Sequence, residues 1–195
     1  MENYPKEIIL RQKESVLIRK FTEDDMDALV DFFQNLPVED RMYLRSDVME
    51  RDNLEKRFGN VNNYMMYMLI ALSGETIVGQ CNLSRAEFGW KRNLGELRIS
   101  VARDFQRKGL CTALTREIFL YAMSTDLYKI QAEIMEEQKS AVAAMERMGF
   151  KKEAVLKKHV TDINNQRNNL MIMSLDIQDT WYLLEDQMSD PMYVT

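Results

Sequence analysis

The chain is short of the groups that many enzymes use to move protons or hold metals: its 195 residues include one histidine, His159, and two cysteines, Cys81 and Cys111. Ser-His-Asp triads, Cys-His dyads and histidine-rich zinc sites all need an imidazole beside other specific groups. His159 instead lies among Lys157, Lys158 and Val160, far in sequence from either cysteine. A structural role is expected for it, and no metal centre. Two cysteines cannot supply a disulfide framework. Residues 1–14 lack a basic segment followed by an apolar run and a small-residue cleavage site, so a reducing cytoplasm is the expected compartment. The longest apolar run, residues 65–72, is far shorter than the roughly 20 residues that cross a bilayer, so no membrane partner is expected.

Breakpoints are scarce too. With 7 Gly, 3 Pro, no repeat and no low-complexity tract, residues 1–177 read as a single domain. Residues 178–195 read as a C-terminal extension, partly helical or flexible. Within it, Thr180-Trp181-Tyr182-Leu183-Leu184 would dock on the body or on a second copy in a homodimer. The formal charge of −5 disfavours nucleic acid, whose partners carry a basic face, and suits cationic ligands such as amines.

What the sequence does have is core material, 46% apolar residues with 8 Phe, 8 Tyr and 15 Met, in two alternating periods. Residues 15–19 read as a strand, and Thr22 followed by three acids opens a helix with Met26, Leu29, Val30 and Phe33 on one face. Pro37 starts a second helix that runs to Gly59. Residues 64–72 and 76–83 flank the turn Ser73-Gly74-Glu75 as a hairpin, and residues 96–101 alternate as a third strand. Residues 109–123 are helical by the four-residue spacing of Leu110, Leu114, Ile118 and Ala122. A strand over 128–134, a short helix over 140–148, and two strands over 155–160 and 170–177 complete the order. Strand, two helices, three strands, helix, strand, helix, two strands make a mixed α/β sandwich.

The stretch from Glu96 to Leu114, ELRISVARDFQRKGLCTAL, carries the chemistry. A strand ends near Ala102, and Gln106-Arg107-Lys108-Gly109-Leu110-Cys111 leads straight into a helix. Amides at a helix start are unpaired and sit at the positive end of its dipole, so this loop can hold a phosphate. Gly109 allows close approach, while Arg107 and Lys108 add charge. The spacing fits neither the Walker loop nor the GxGxxG pattern. Taken alone, it serves an anion site and a solvated basic cap equally well.

Gln106-x-x-Gly109-x-Cys111, behind a strand with an acid near its start, resembles the acyl-CoA signature of the GNAT N-acetyltransferase superfamily. Residues 138–150, ending in Gly149-Phe150, resemble that superfamily's second motif, and Asp162 followed by Leu170-Met171-Ile172-Met173 resembles its last hairpin. The resemblance spans residues 15–177. It implies an α/β (α+β) fold with a mixed, mostly antiparallel sheet of about seven strands flanked by about four helices. It also implies transfer of an acetyl group from acetyl-CoA, as co-substrate, to a primary amine by direct attack. The donor would lie between the strands at 96–101 and 127–135. The backbone of Ser100, Val101 and Ala102 would meet the pantetheine arm. The amides of Arg107, Lys108, Gly109, Leu110, Cys111 and Thr112 would meet the pyrophosphate, with Gln106 in the signature and Gln138 where many members have asparagine.

Glu96 is the candidate base, with an ion-paired strand carboxylate as its other reading and Glu133, Glu136 and Glu137 behind it. The position that often carries a tyrosine acid is Met145, which has no proton to give. Tyr121, Tyr128 and Ser140 have suitable hydroxyls without motif support. Met145 keeps open a non-catalytic acyl-CoA sensor or scaffold, and an unrelated nucleotide-binding protein is a third reading. Cys111 is expected to pack rather than react. The acids and bases of residues 37–57 would suit a cationic acceptor or a solvated helix face.

Overall fold

The computed structural model describes residues 4–44 and 48–179. Strands β1 (Lys6–Ile9) and β2 (Ser15–Lys20) form a hairpin, followed by a 3-10 turn at Glu23–Asp25 and helices α1 (Met26–Gln34), α2 (Val38–Arg41) and α3 (Arg51–Phe58). Then come β3 (Met66–Ser73), β4 (Thr76–Arg85), β5 (Leu94–Val101), a 3-10 turn at Arg103–Phe105 and α4 (Leu110–Met123). The chain ends in β6 (Lys129–Met135), α5 (Lys139–Arg147), β7 (Lys151–Thr161) and β8 (Arg167–Asp176). The sheet order is β1-β2-β3-β4-β5-β6-β8-β7. Among the described residues, only the β5–β6 contact is parallel.

The mixed, mostly antiparallel class holds, with two corrections of detail. There are eight strands among the described residues, because Lys6–Ile9 pairs with β2 even though only Ile8 of its four residues is buried. A strand that hides one side chain in four shows almost no alternation in sequence. The helix expected from Pro37 to Gly59 is instead two, α2 and α3, so that the described residues hold five α-helices. Neither piece is strongly apolar: α2 buries nothing and α3 buries Leu54 and Phe58. Residues 180–195, including the docking turn expected there, lie outside the described residues.

Strand alternation divides the core between the sheet's two faces. On one, Leu69, Cys81, Leu83 and Leu97 pack against Leu110, Leu114 and Ile118 of α4. On the other, Met68, Ile70, Leu72 and Ile77 pack against Leu29 and Phe33 of α1 and Leu54 and Phe58 of α3. Met68 and Met173 are fully buried, placing the methionine-rich strands in the interior. A β-carbon on Gly79 would lie 3.2 Å from Leu110 and 3.3 Å from Leu114, so this glycine sets how closely α4 approaches β4. The buried Glu117 of α4 accepts from the Tyr4 hydroxyl (2.9 Å) and the Lys6 ammonium (2.7 Å), which ties the added strand to the body.

The entry to α1 is held by charge. Arg19 donates twice to Asp25, at 2.6 Å each, and the Thr22 N–H and hydroxyl donate to the same carboxylate at 2.8 and 2.9 Å. Burial pushes the Asp25 pKa up, but Arg19 and Thr22 together outweigh it and leave it below its ordinary value. A depressed folded-state pKa contributes stability above the unfolded value of about 3.9, and loses it as pH falls through the folded value. Asp25→Asn is expected to cost about 1.5–3 kcal/mol at pH 7, with the difference from the parent shrinking in acid below about pH 4. Urea unfolding at several pH values checks this; a pH-independent difference would contradict it.

Candidate functional site

β5 and β6 pair over just three positions, Leu94↔Lys129, Gly95↔Ile130 and Glu96↔Gln131. Beyond them β5 stays paired with β4 as far as Val101↔Gly79, and β6 with β8 as far as Met135↔Leu170. The facing edges of residues 97–101 and 132–135 therefore have no strand between them. A cavity of about 590 Å³ occupies this opening and is lined on the two sides by Leu97–Val101 and Ala132–Ile134. Unpaired strand edges offer N–H and C=O groups to any extended polar chain laid along them.

One end of the cavity meets the start of α4. Gly109 has φ 101° and Arg107 φ 61°, so the chain passes twice through the left-handed region before the helix begins. That conformation costs a non-glycine residue about 1–2 kcal/mol, which makes glycine apt at position 109. The first helical bond is Ala113 N–H to Gly109 C=O (3.0 Å), leaving the amides of Leu110, Cys111 and Thr112 ahead of the ladder at the positive end of the dipole. Arg11, Arg107, Lys139 and Arg147 also line the cavity. The result is an anion cradle with charge around it.

A neighbouring hairpin braces the cradle. The Arg11 N–H donates to Lys108 C=O (3.1 Å), and the Lys108 ammonium pairs with both Glu14 oxygens at 2.7 and 2.8 Å. Gln106 donates to Val101 C=O (3.2 Å), closing the turn between β5 and α4. Arg103 donates to Asp40 and Glu39, drawing α2 over the same turn.

The cavity gathers eight of the eleven expected donor-binding residues in its wall: Ser100, Val101, Gln106, Arg107, Gly109, Cys111, Thr112 and Gln138. The other three stand differently. The Ala102 amide donates to Val78 C=O (2.9 Å), the Lys108 side chain is taken by Glu14, and Leu110 is fully buried in the core. Gln138 accepts from the Met135 N–H (3.1 Å), capping the end of β6. Glu96 does not line the cavity. Its carboxylate accepts from Arg98 at 3.1 and 2.9 Å, and Arg98 does line it, as does Glu133.

Met145 is buried and lines the wall. Of the hydroxyls weighed for proton donation, Ser140 lines the cavity, while Tyr121 stacks on Tyr67 with ring centroids 3.7 Å apart and Tyr128 is half exposed. Burial pushes the Cys111 thiol up to about 11, which keeps it protonated and a poor nucleophile at neutral pH. His159 is exposed on β7.

Several lining residues escaped the sequence, four of them polar and placed by elements with weak or misleading patterns. Arg11 sits in a hairpin whose first strand has almost no pattern, and Tyr43 follows a four-residue helix. Gln80 and Asn82 alternate with Cys81 and Leu83, a signal that was available but reads as an ordinary solvent-facing edge. They are instead 3% and 1% exposed.

A strand gap leading to the start of a helix suits a ligand with a long polar arm and a phosphorylated end. The family model described as Acetyltransferase (GNAT) domain matches residues 15–151, and the chain belongs to that family. Among solved structures, the GNAT domain of S. lividans PAT superposes with a TM-score of 0.75 at 16% identity, covering 88% of this chain and 96% of that one. The ribosomal-protein-alanine N-acetyltransferase of Brucella melitensis gives 0.73 at 22%, covering 82% and 99%. The spermidine N-acetyltransferase of Vibrio cholerae, in complex with CoA and spermine, gives 0.71 at 19%, covering 86% and 98%. At these identities the likeness is one of fold. No curated protein matches in sequence. No helix among the described residues is long and apolar enough to cross a membrane.

Proposed function

We propose that the protein transfers an acetyl group from acetyl-CoA to a primary amine by direct attack, in the cytoplasm. The observation that carries this reading is the three-pair β5–β6 contact opening onto the Gly109 cradle. The pyrophosphate meets the amides of Leu110 to Thr112, with Arg107 and Arg11 beside them, and the pantetheine arm extends along the free edge of Leu97–Val101. The thioester then lies in the gap and supplies the electrophilic carbonyl. β5 main-chain amides facing that gap stabilise the oxyanion, and the walls hold donor and acceptor together, which is where most of the rate comes from.

The attacking amine must lose a proton. Glu96 stands at the motif position, but its carboxylate is bonded to Arg98 and lies off the cavity wall; Glu133 stands in the wall. Glu133 is therefore assigned as proton acceptor, directly or through water, and Glu96 as the group that positions Arg98. A thiolate whose parent thiol resembles cysteine, with a pKa of about 8.5, leaves without a dedicated acid, so Met145 does not forbid turnover. The net charge of −5 supports an amine acceptor rather than nucleic acid.

Because the thiol stays protonated, no acetyl-cysteine stage is expected. Cys111→Ala should keep kcat within about twofold, and rapid-quench kinetics should show no burst of CoA release without an amine. A burst that disappears in Cys111→Ala would replace direct attack with a two-step route. The reading as a whole is tested by CoA release over a panel of amines. Acetyl-CoA binding with no turnover on any of them would favour the sensor.

A further inference from the structure

The loop between β4 and β5 holds two aromatic rings out in water: Phe88 is 79% exposed and Trp90 93%. The loop itself is well tied. The Arg85 guanidinium donates to Arg92 C=O at 3.0 and 2.6 Å and to the Asp126 carboxylate at 2.7 Å, and the Asn93 side-chain amide donates to Asp126 C=O at 2.7 Å. Tyr128, half exposed, joins the loop through its N–H to Asn93 C=O (3.0 Å). Exposed rings presented on a braced loop mark a contact surface. The chain leaves its last strand beside this patch. Register sets Asp176 of β8 abreast of Lys129, and Lys129 abreast of Leu94, so β8 ends two strand spacings, about 10 Å, from the start of β5. The Ile177 N–H then donates to Tyr128 C=O (2.9 Å). The Asp176 carboxylate accepts from the Gln178 and Asp179 amides at 3.1 and 3.3 Å, the arrangement of a helix N-cap.

We propose that residues 180–188 of the same chain dock on the patch formed by Phe88, Trp90 and Tyr128. The inference is independent of the acetyl-transfer reading. In the sequence, Ile177, Trp181, Leu184 and Met188 recur at the spacing of one helix face, and Ile177 is already buried in the core. From Ile177 the chain can extend up to about 13 Å to Trp181 and about 23 Å to Leu184, enough to bring both to the loop. Charge agrees with reach. Lys91 and Arg92 are exposed on the loop, while residues 179–190 carry Asp179, Glu185, Asp186 and Asp190 and no basic residue. A segment tethered at Ile177 also meets the patch at an effective concentration on the order of millimolar, an advantage that a second copy or a lipid surface lacks.

The chain's 2 tryptophans, Trp90 and Trp181, stand on opposite sides of this contact, so each reports on it alone in the full chain once the other is phenylalanine. In Trp181→Phe, acrylamide should quench Trp90 at least about fivefold less efficiently than it quenches free tryptophanamide, because burial of this much aromatic surface holds the docked form in excess. Adding Leu184→Asp puts a charge into the contact and should bring quenching to within about twofold of the free value, with circular dichroism as the control for folding. Lys91→Glu with Arg92→Glu should raise the quenching of Trp90 at least about twofold at low salt, and Glu185→Lys with Asp186→Lys should reverse that rise. Quenching of Trp90 at the free value in Trp181→Phe would overturn the proposal. So would shielding that survives Leu184→Asp, that grows with protein concentration alongside a dimer in sedimentation, or that needs added anionic vesicles. Those results would put another part of the chain, a second copy or a lipid surface on the patch instead.

Discussion

Replacing Gly109 by aspartate is expected to raise the Kd for acetyl-CoA by about 100-fold or more. Two costs combine. The residue sits at φ 101°, where a side chain costs about 1–2 kcal/mol, so part of the loss comes from a loop that no longer presents its amides. The larger part is electrostatic: a carboxylate about 4 Å from a phosphate repels it by about 4 kcal/mol at an effective dielectric of 20. Gly109→Asn separates the two, because asparagine tolerates the left-handed conformation and brings no charge. Its loss should be no more than about tenfold. Calorimetry on both variants measures this, with thermal unfolding as the control for folding. Equal affinity in the aspartate variant would mean that the phosphates bind elsewhere.

The second large effect is expected at Glu133. If this carboxylate takes the proton from the attacking amine, Glu133→Gln should lower kcat by about 10²–10⁴ with the acetyl-CoA Kd unchanged. Glu96→Gln acts only through Arg98 and should lower kcat by about tenfold or less, mainly by raising the acceptor KM. The opposite ranking would restore Glu96 to the role its motif position implies. It would also mean that the carboxylate swings off Arg98 when substrates bind. Steady-state kinetics on the two variants with one amine decides between them.

The parts of the architecture legible in the sequence were those with strong local signals. The hairpin about Gly74, the alternating strand ending at Val101, the Gly109 helix and the Gly149-Phe150 motif all carry a turn residue next to a clear period, and the structure has elements at each. β1 went unseen because its four residues bury one side chain, and its hold on the body comes from Tyr4 and Lys6 reaching Glu117, 113 and 111 residues away. The break between α2 and α3 has no proline or glycine to mark it, since Pro37 and Gly59 stand at the outer ends only.

At the candidate site, motif spacing located the main-chain cradle, since spacing encodes where a helix starts. Side-chain directions were another matter. Lys108 pairs with Glu14 across 94 residues, a contact that only tertiary structure creates, whereas the pairing of Glu96 with Arg98, two residues along the same strand, is the local alternative the sequence already offers. Gln80 and Asn82 look like any solvent-facing strand residues until the neighbouring strands and α1 are packed against β4.

The central claim, that the opening between β5 and β6 and the Gly109 cradle together hold an acyl-CoA, is tested most directly by titrating the unaltered protein with acetyl-CoA and with ATP in the same calorimeter. One site for acetyl-CoA, with ATP binding at least about tenfold more weakly and competing for that site, is the predicted result, because only the CoA compound carries an arm to lie along Leu97–Val101. Tighter binding of ATP, or no heat with acetyl-CoA, would contradict it.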